Sequence, residues 1–233
     1  MTPIYTICTG PNYNPSHVMR FEMQLKEHVN IDFKVHCYTT YDASLFDKSI
    51  EVIPIQFDDG RRQWHKVDVF KFAPKGDVVF ISDLDWTFVG DVTDIFSQEV
   101  KHNELIAPYR WWTRQKGKGF TINGGLYKFI GGDHYCIPNT FYGNPKYWME
   151  RYILDLKVAH PPVNGEQNFV DETIRGNKGI LKYFEPQDAF GRMPSDHIHD
   201  IEYNELYTNN YKHDFFYLDS EFNDNVRMIQ SII

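Results

Sequence analysis

The stretch from Asp77 to Asp91, Asp-Val-Val-Phe-Ile-Ser-Asp-Leu-Asp-Trp-Thr-Phe-Val-Gly-Asp, restricts the fold of this chain more than any other. Val78 to Ile81 form an unbroken apolar run, the pattern of a strand covered on both faces of a sheet. The run leads into two carboxylates, Asp83 and Asp85, with Leu84 between them. In open α/β sheets ligands collect at the carboxyl ends of the strands, so the pair is expected on the rim of a binding crevice. Like charges this close repel, and a cation between them relieves the repulsion. Mg²⁺ or Mn²⁺ is the simplest such cation, because both take carboxylate oxygen readily. A D-x-D on an ordinary loop is common and needs no metal; its position straight after a buried strand is what gives the metal reading its weight.

The remaining sequence bounds the partners. At 233 residues, with 42% hydrophobic and 16% aromatic side chains, the chain has enough apolar surface for one α/β domain with a full core. A net charge of −8 argues against nucleic acid or an anionic membrane as the main partner. An anionic small molecule fits if metal and local basic residues offset the charge. The three cysteines, Cys8, Cys37 and Cys136, show neither a disulfide framework nor zinc spacing, which points to a reducing compartment. Met1 to Tyr5 lack the basic and apolar blocks of a signal peptide. No apolar run is long enough to span a bilayer, so a soluble cytoplasmic protein without a transmembrane segment is expected.

Strands are predicted at Ile4 to Cys8, Phe33 to Tyr38, Ile50 to Ile55, Val78 to Ser82, Leu105 to Pro108 and Ile180 to Phe184. Ser16 is the expected N-cap of a helix running to Glu27, with Val18, Phe21, Met23 and Leu25 as its apolar contacts. A second helix holds Val67, Phe70 and Lys71 on one face and stops at Ala73-Pro74. Asp91 caps a short helix to Phe96, and longer helices are predicted at Pro145 to Val158 and Gly165 to Ile174. Asp58-Asp59-Gly60 reads as a turn and Lys116 to Gly119 as a basic loop. Phe120 to Phe129 reads as extended, with Gly124-Gly125 marking a bulge or a close backbone approach. After Pro186 the pattern weakens, with a last apolar segment near Phe215 to Leu218. Strands alternating with helices argue for an α/β fold with a central, mainly parallel sheet flanked by helices.

Phe80 to Phe96, with its apolar run, D-x-D, second apolar run and Asp-Ile-Phe ending, resembles the D-x-D segment of GT-A-fold glycosyltransferases. The likeness is greatest to the glycogenin-like and bacterial galactosyltransferase-like (family 8-type) group. Trp64 to Phe70 resembles the W/Y-x-K-x-x-x-F helix upstream of that motif. Thr121-Ile122-Asn123-Gly124-Gly125-Leu126-Tyr127 resembles the N-S/A-G segment, and Gly165-Glu166-Gln167-Asn168-Phe169 the D/E-Q helix start. Order and spacing agree from Ile4 to Ile174. The resemblance implies one GT-A-like domain over residues 1–233: 1–110 as the nucleotide-binding half, 111–185 as the acceptor half and 186–233 as a C-terminal lid or tail. It implies metal-dependent transfer of a hexose from a nucleotide-sugar, UDP-linked, to an acceptor hydroxyl on a glycan, lipid or protein.

On that reading Asp85 binds Mn²⁺ or Mg²⁺, and Asp83 binds it too or contacts the ribose side. The cation clamps the donor diphosphate as the glycosidic bond breaks. A third ligand, a histidine, is expected near the C-terminus, where His197 and His199 share a face if extended; His213 is a weaker option. Lys66 and Arg62 are candidates to pair with phosphate, or else form a solvated basic face. Asn123 is expected on the sugar or acceptor, or else as a turn-former. Glu166 and Gln167 open the Gly165 helix as candidate catalytic residues. Glu166 lines up with Val170 and Ile174 and so faces inward; it is the first candidate for a base if the reaction inverts. Asp133 and Asp171 have no distinguishing context. Two departures stand out: Trp86 occupies a position usually held by a small or β-branched residue, where it would stack on a sugar or base or else pack, and the H-x-x-G-x-x-K-P-W tail is missing.

Two other readings use the same residues. Asp83-Leu84-Asp85-Trp86-Thr87 also matches the D-x-D-x-T nucleophile segment of haloacid-dehalogenase-like phosphatases. Against it, the motif is not on a first strand, and Trp86 stands where that family has glycine. A non-catalytic sugar- or nucleotide-binding domain of the same fold is the second alternative.

Overall fold

The computed structural model describes residues 1–11, 13–56, 61–109, 121–154, 165–194 and 226–232. The elements in chain order are β1 (Thr2–Cys8), α1 (Pro15–His28), β2 (Phe33–Thr39), β3 (Glu51–Pro54), α2 (Lys66–Phe72), β4 (Val78–Ser82), β5 (Trp86–Phe88), α3 (Thr93–Ser97), β6 (Glu104–Ala107), β7 (Leu126–Ile130), α4 (Cys136–Gly143), α5 (Pro145–Leu154), α6 (Gly165–Gly176), β8 (Ile180–Tyr183), β9 (Phe190–Pro194) and β10 (Met228–Ile232). The turn at Asp58-Asp59-Gly60, the basic loop Lys116 to Gly119, Phe120, the Pro145 helix beyond Leu154, the histidines His197, His199 and His213, and the segment Phe215 to Leu218 lie outside the described residues.

The main sheet has seven strands in the order β3-β2-β1-β4-β7-β6-β8. Parallel pairing joins β3, β2, β1 and β4 in turn, and β6 to β8. Strand β7 runs antiparallel to both of its neighbours, β4 and β6. The expected mainly parallel α/β sheet is present. A second sheet of three short strands, β5-β10-β9, was not predicted. Among the described residues no helix is long and apolar enough to cross a membrane.

Strand alternation divides the core into two layers. On one face Ile4, Phe80 and Leu126 pack with Val18, Phe21 and Leu25 of α1, with Phe96 of α3 and with Trp86, Phe88 and Met228 of the small sheet. On the other, Tyr5, Val79, Ile81, Tyr127 and Phe129 pack with Val67 and Phe70 of α2, Phe141 of α4 and Phe169 of α6. Strand β4 is covered on both sides except at Val78, where the strand begins and the side chain is 37% exposed.

Several boundaries differ from expectation for identifiable reasons. The N-cap of α1 is Asn14, not Ser16; Asn14 Oδ1 accepts from the Ser16 backbone N–H at 3.0 Å. Pro15 supplies no N–H and suits the first helical position, which moves the cap one residue before it. Met23 is 59% exposed, so α1 buries a narrower stripe than predicted. Lys71 also faces solvent, over the Tyr142 ring, while Val67 and Phe70 are buried. Val92 is the cap residue of α3, although Asp91 Oδ1 still accepts from the Thr93 N–H at 2.8 Å. Ile122 forms an isolated bridge to Tyr109, and regular pairing starts only at Leu126, after the two glycines.

Candidate active site

The acids sit where strand β4 leaves the sheet. Leu84 is 1% exposed, whereas Asp83 and Asp85 on either side of it are partly exposed. Burying a leucine contributes about 1.5–3 kcal/mol, so Leu84 anchors the segment and turns its neighbours outward. The backbone is pinned from β7: the Gly125 carbonyl accepts from the Asp83 N–H at 2.8 Å and from the Trp86 indole N–H at 2.7 Å. One carbonyl thus holds both ends of the Asp83 to Trp86 segment.

This corrects the stacking role for Trp86. Its ring is 0% exposed, edge-on to Phe190, and its N–H is consumed by Gly125. A large side chain is tolerated here because it packs under the motif and not over the cleft.

The glycines are required by this approach. A Cβ on Gly125 would lie 2.6 Å from Gln230 Nε2 and 3.0 Å from the Trp86 ring. A Cβ on Gly124 would lie 2.7 Å from the Tyr127 hydroxyl and 2.8 Å from Gln167 Cβ. The close backbone approach read from Gly124-Gly125 is present at both positions.

Lys66 is not part of a solvated face. It is 2% exposed, and its ammonium lies 2.6 Å from Asp83 Oδ1, 2.8 Å from the Gly124 carbonyl and 3.5 Å from Glu166 Oε2. Burial alone would push its pKa down; Asp83 and Glu166 override that and hold the charged form more firmly than in a free lysine. Arg62, the other basic candidate, is exposed with φ of 47° at the start of a 3₁₀ turn. Arg61, which was not singled out, instead lies 3.8 Å from Asp68 and bonds the Tyr142 hydroxyl at 3.2 Å.

Glu166 faces inward as predicted. It is 1% exposed and takes the Tyr127 O–H on Oε1 at 2.9 Å. Its pKa stands at about 7, raised by burial against the pull of Lys66, with Asp83 adding to the rise. Gln167 behaves differently. Its Oε1 accepts from the Gly124 N–H at 2.7 Å, while its Nε2 is buried with no hydrogen-bond partner among the described residues. An orphaned buried donor signals a missing acceptor.

Asn123 shapes the glycine turn. It is 1% exposed, its Oδ1 accepts from the Gly125 N–H at 2.8 Å, and its Nδ2 donates to Gln230 Oε1 at 2.8 Å. Gln230 was missed altogether; its strand is five residues long and carries no periodic signal. Tyr13 and Arg20, also missed, flank the acids from the α1 side. Arg20 donates to the Leu84 carbonyl at 3.4 Å, and the Tyr13 hydroxyl is held neutral by burial and then by Asp85 and Asp83. Asp171 belongs to a structural contact, accepting the Thr121 N–H at 2.7 Å, and Asp133 likewise accepts the Asn103 N–H at 2.8 Å.

The donor set suits a hard divalent cation. Asp83 and Asp85 offer carboxylate oxygen at an accessible rim, and Mg²⁺ sites commonly consist of one or two carboxylates plus substrate phosphate. Among the described residues no three His, Cys, Asp or Glu side chains converge to hold a metal. The histidine candidates for a third ligand, His197 and His199, lie outside those residues.

No sequence-family model matches the chain, and no curated protein resembles it in sequence. Solved structures do share its fold. The chain is similar to the galactosyltransferase LgtC in complex with donor and acceptor sugar analogs, with a TM-score of 0.59 at 12% identity, covering 100% of this chain and 87% of that one. An active-site mutant of LgtC matches with a TM-score of 0.56 at 13% identity over 100% and 88% of the two chains. The glycosyltransferase GlyE of Streptococcus pneumoniae TIGR4 matches with a TM-score of 0.53 at 17% identity, over 100% of this chain and 54% of GlyE. The fold is that of GT-A-type glycosyltransferases.

Proposed function

We propose that this chain is a metal-dependent glycosyltransferase that moves a hexose from a nucleotide-sugar, UDP-linked, to an acceptor hydroxyl. The observation that carries the reading is the pair of partly exposed carboxylates, Asp83 and Asp85, held at the end of the central strand of a GT-A-type sheet by a purpose-shaped glycine turn. A bound Mn²⁺ or Mg²⁺ would neutralise the charge that builds on a diphosphate leaving group.

The protein's own residues divide the remaining work. Asp83 and Asp85 hold the cation. Lys66 fixes Asp83 and offsets the mutual repulsion of the site's acids. Gln167 presents its spare N–H as a donor for a sugar hydroxyl or phosphate oxygen. Glu166 is a positioning residue, locking Lys66 and Tyr127, and not the base. The phosphatase alternative fits poorly. Trp86 stands where that family has glycine, and Thr87 is buried in β5 at 5% exposure.

The decisive test is hydrolysis or transfer from UDP-hexoses with and without Mn²⁺, paired with thermal-shift screening of the same ligands. Mn²⁺-dependent release of UDP is expected from the native protein. Asp85→Ala is expected to stay folded and to lose at least about 100-fold of that turnover. Full activity in that variant would refute the assignment. Binding without turnover would instead favour the sugar-binding alternative, and release of phosphate from an aryl phosphate the phosphatase.

A further inference from the structure

The two carboxylates of the motif are held differently. Asp83 meets a cation, Lys66, at 2.6 Å. Asp85 meets a neutral amide: Gln230 Nε2 lies 3.3 Å from each of its carboxylate oxygens. Gln230 is 4% exposed and pairs with Trp86 in the small sheet, so strand β10 delivers it directly against the residue after Asp85.

Which end of that amide faces Asp85 follows from the network. The Gly125 backbone N–H can only donate, so the Asn123 side-chain atom it meets is the oxygen, at 2.8 Å. The other end of Asn123 is therefore its NH₂ group, a donor, and it points at Gln230 across 2.8 Å. Gln230 must answer with its oxygen, which leaves its NH₂ for Asp85. Turning either amide over sets two donors or two acceptors against each other inside a buried cluster, at the full cost of unmet polar groups. The polarity of the relay is set by one main-chain N–H and runs through two side chains to the acid.

We infer that Gln230 is a positioning residue that fixes the Asp85 carboxylate through its NH₂ group, with an orientation dictated from Gly125, and is not itself a cation ligand. The inference rests on the functional reading above only in assigning Asp85 to the cation. Gln230 offers Asp85 hydrogens where a ligand would offer a lone pair. Each carboxylate oxygen accepts on two sides. Gln230 meets both oxygens through one NH₂ group, and Asp85 stays partly exposed. Gln230 thereby steadies the site without itself binding the cation.

The test reverses the polarity. Thermal midpoints are measured without metal for the full chain, Gln230→Glu, Asp85→Asn and the double variant Gln230→Glu/Asp85→Asn. Gln230→Glu sets two carboxylates in contact and is expected to lower the midpoint by several degrees. Asp85→Asn added to it supplies an NH₂ group on the opposite side, restores an N–H···O contact of reversed sense and recovers at least half of that loss. A double variant whose change equals the sum of the two single changes overturns the inference. A Gln230→Glu variant as stable as the native chain overturns it as well.

Mn²⁺ titration of the midpoint then reads the consequence for the site. Gln230→Leu is expected to need roughly tenfold more Mn²⁺ than the native chain for a half-maximal shift, the size typical of losing a residue that orients a metal ligand. An unchanged requirement overturns the positioning role. A native chain that ignores Mn²⁺ defeats the functional reading instead, and the metal-free comparison still decides the Gln230 assignment.

Discussion

The two ends of the β4 segment contrast in how their surroundings are built. Before it, β1, β2 and β3 pair in chain order, and β4 then returns to lie beside β1. Beyond it, the small sheet joins residues 86–88, 190–194 and 228–232. The first region places the acids; the second, with Lys66 and Glu166, decides what surrounds them. A motif read from sequence therefore gives position, and the electrostatic state of that position is supplied from both sides, by Lys66 just before the strand and by Glu166 and Gln230 far beyond it.

Removing the charge that bridges the two regions should have the largest effect. Lys66→Met leaves Asp83 and the buried Glu166 without their common cation, and is expected to cost about 3–5 kcal/mol of stability by urea unfolding. A loss below about 1 kcal/mol would mean that the cluster is open to water.

The next effect is a pH dependence confined to the distal contribution. Glu166 titrates at about 7 in the folded protein against an ordinary 4.5, so the native state holds that proton more tightly than the unfolded chain. Its contribution to stability is fully present below pH 4.5 and is lost as pH rises through 7, with a slope approaching about 1.4 kcal/mol per unit between. Glu166→Gln is expected to flatten the fall of the thermal midpoint between pH 5 and 8. An identical profile in that variant would assign the proton elsewhere.

A smaller effect separates packing from binding at Trp86. Trp86→Phe keeps the apolar bulk and deletes only the N–H that reaches the Gly125 carbonyl. A loss of about 1–2 kcal/mol in denaturant unfolding is expected, with nucleotide-sugar affinity changed less than twofold. A selective loss of donor affinity would restore the stacking role. At the small end, Met23→Gln on the exposed face of α1 should move stability by less than about 0.5 kcal/mol.

The contrast also explains what the sequence disclosed. Strand β4 was legible because its apolar residues are consecutive and its acids follow at once. The close approach at Gly124-Gly125 was legible because paired glycines inside an extended segment mark a bulge or a near contact, although regular pairing starts only after them. The inward face of Glu166 followed from its helical line with Val170 and Ile174. The solvated alternative for Lys66 failed because a lysine at a helix start looks exposed until its partners at 83, 124 and 166 are placed around it. The turn-forming alternative for Asn123 was legible from its type, but its partner Gln230, 107 residues away, was not. Strand β10 gave no sign at all, since Met-Ile-Gln-Ser-Ile acquires meaning only against β5 and β9.

Gly125 lends one carbonyl and one N–H to three segments that are translated at very different moments: the motif loop, Asn123 and, through Asn123, the strand at 228–232. A nascent chain that has already folded its parallel strands still lacks the group that steadies Asp85. Competence for chemistry should therefore arrive in a single late step, when the last strand slides in beside β5, and not grow gradually with chain length.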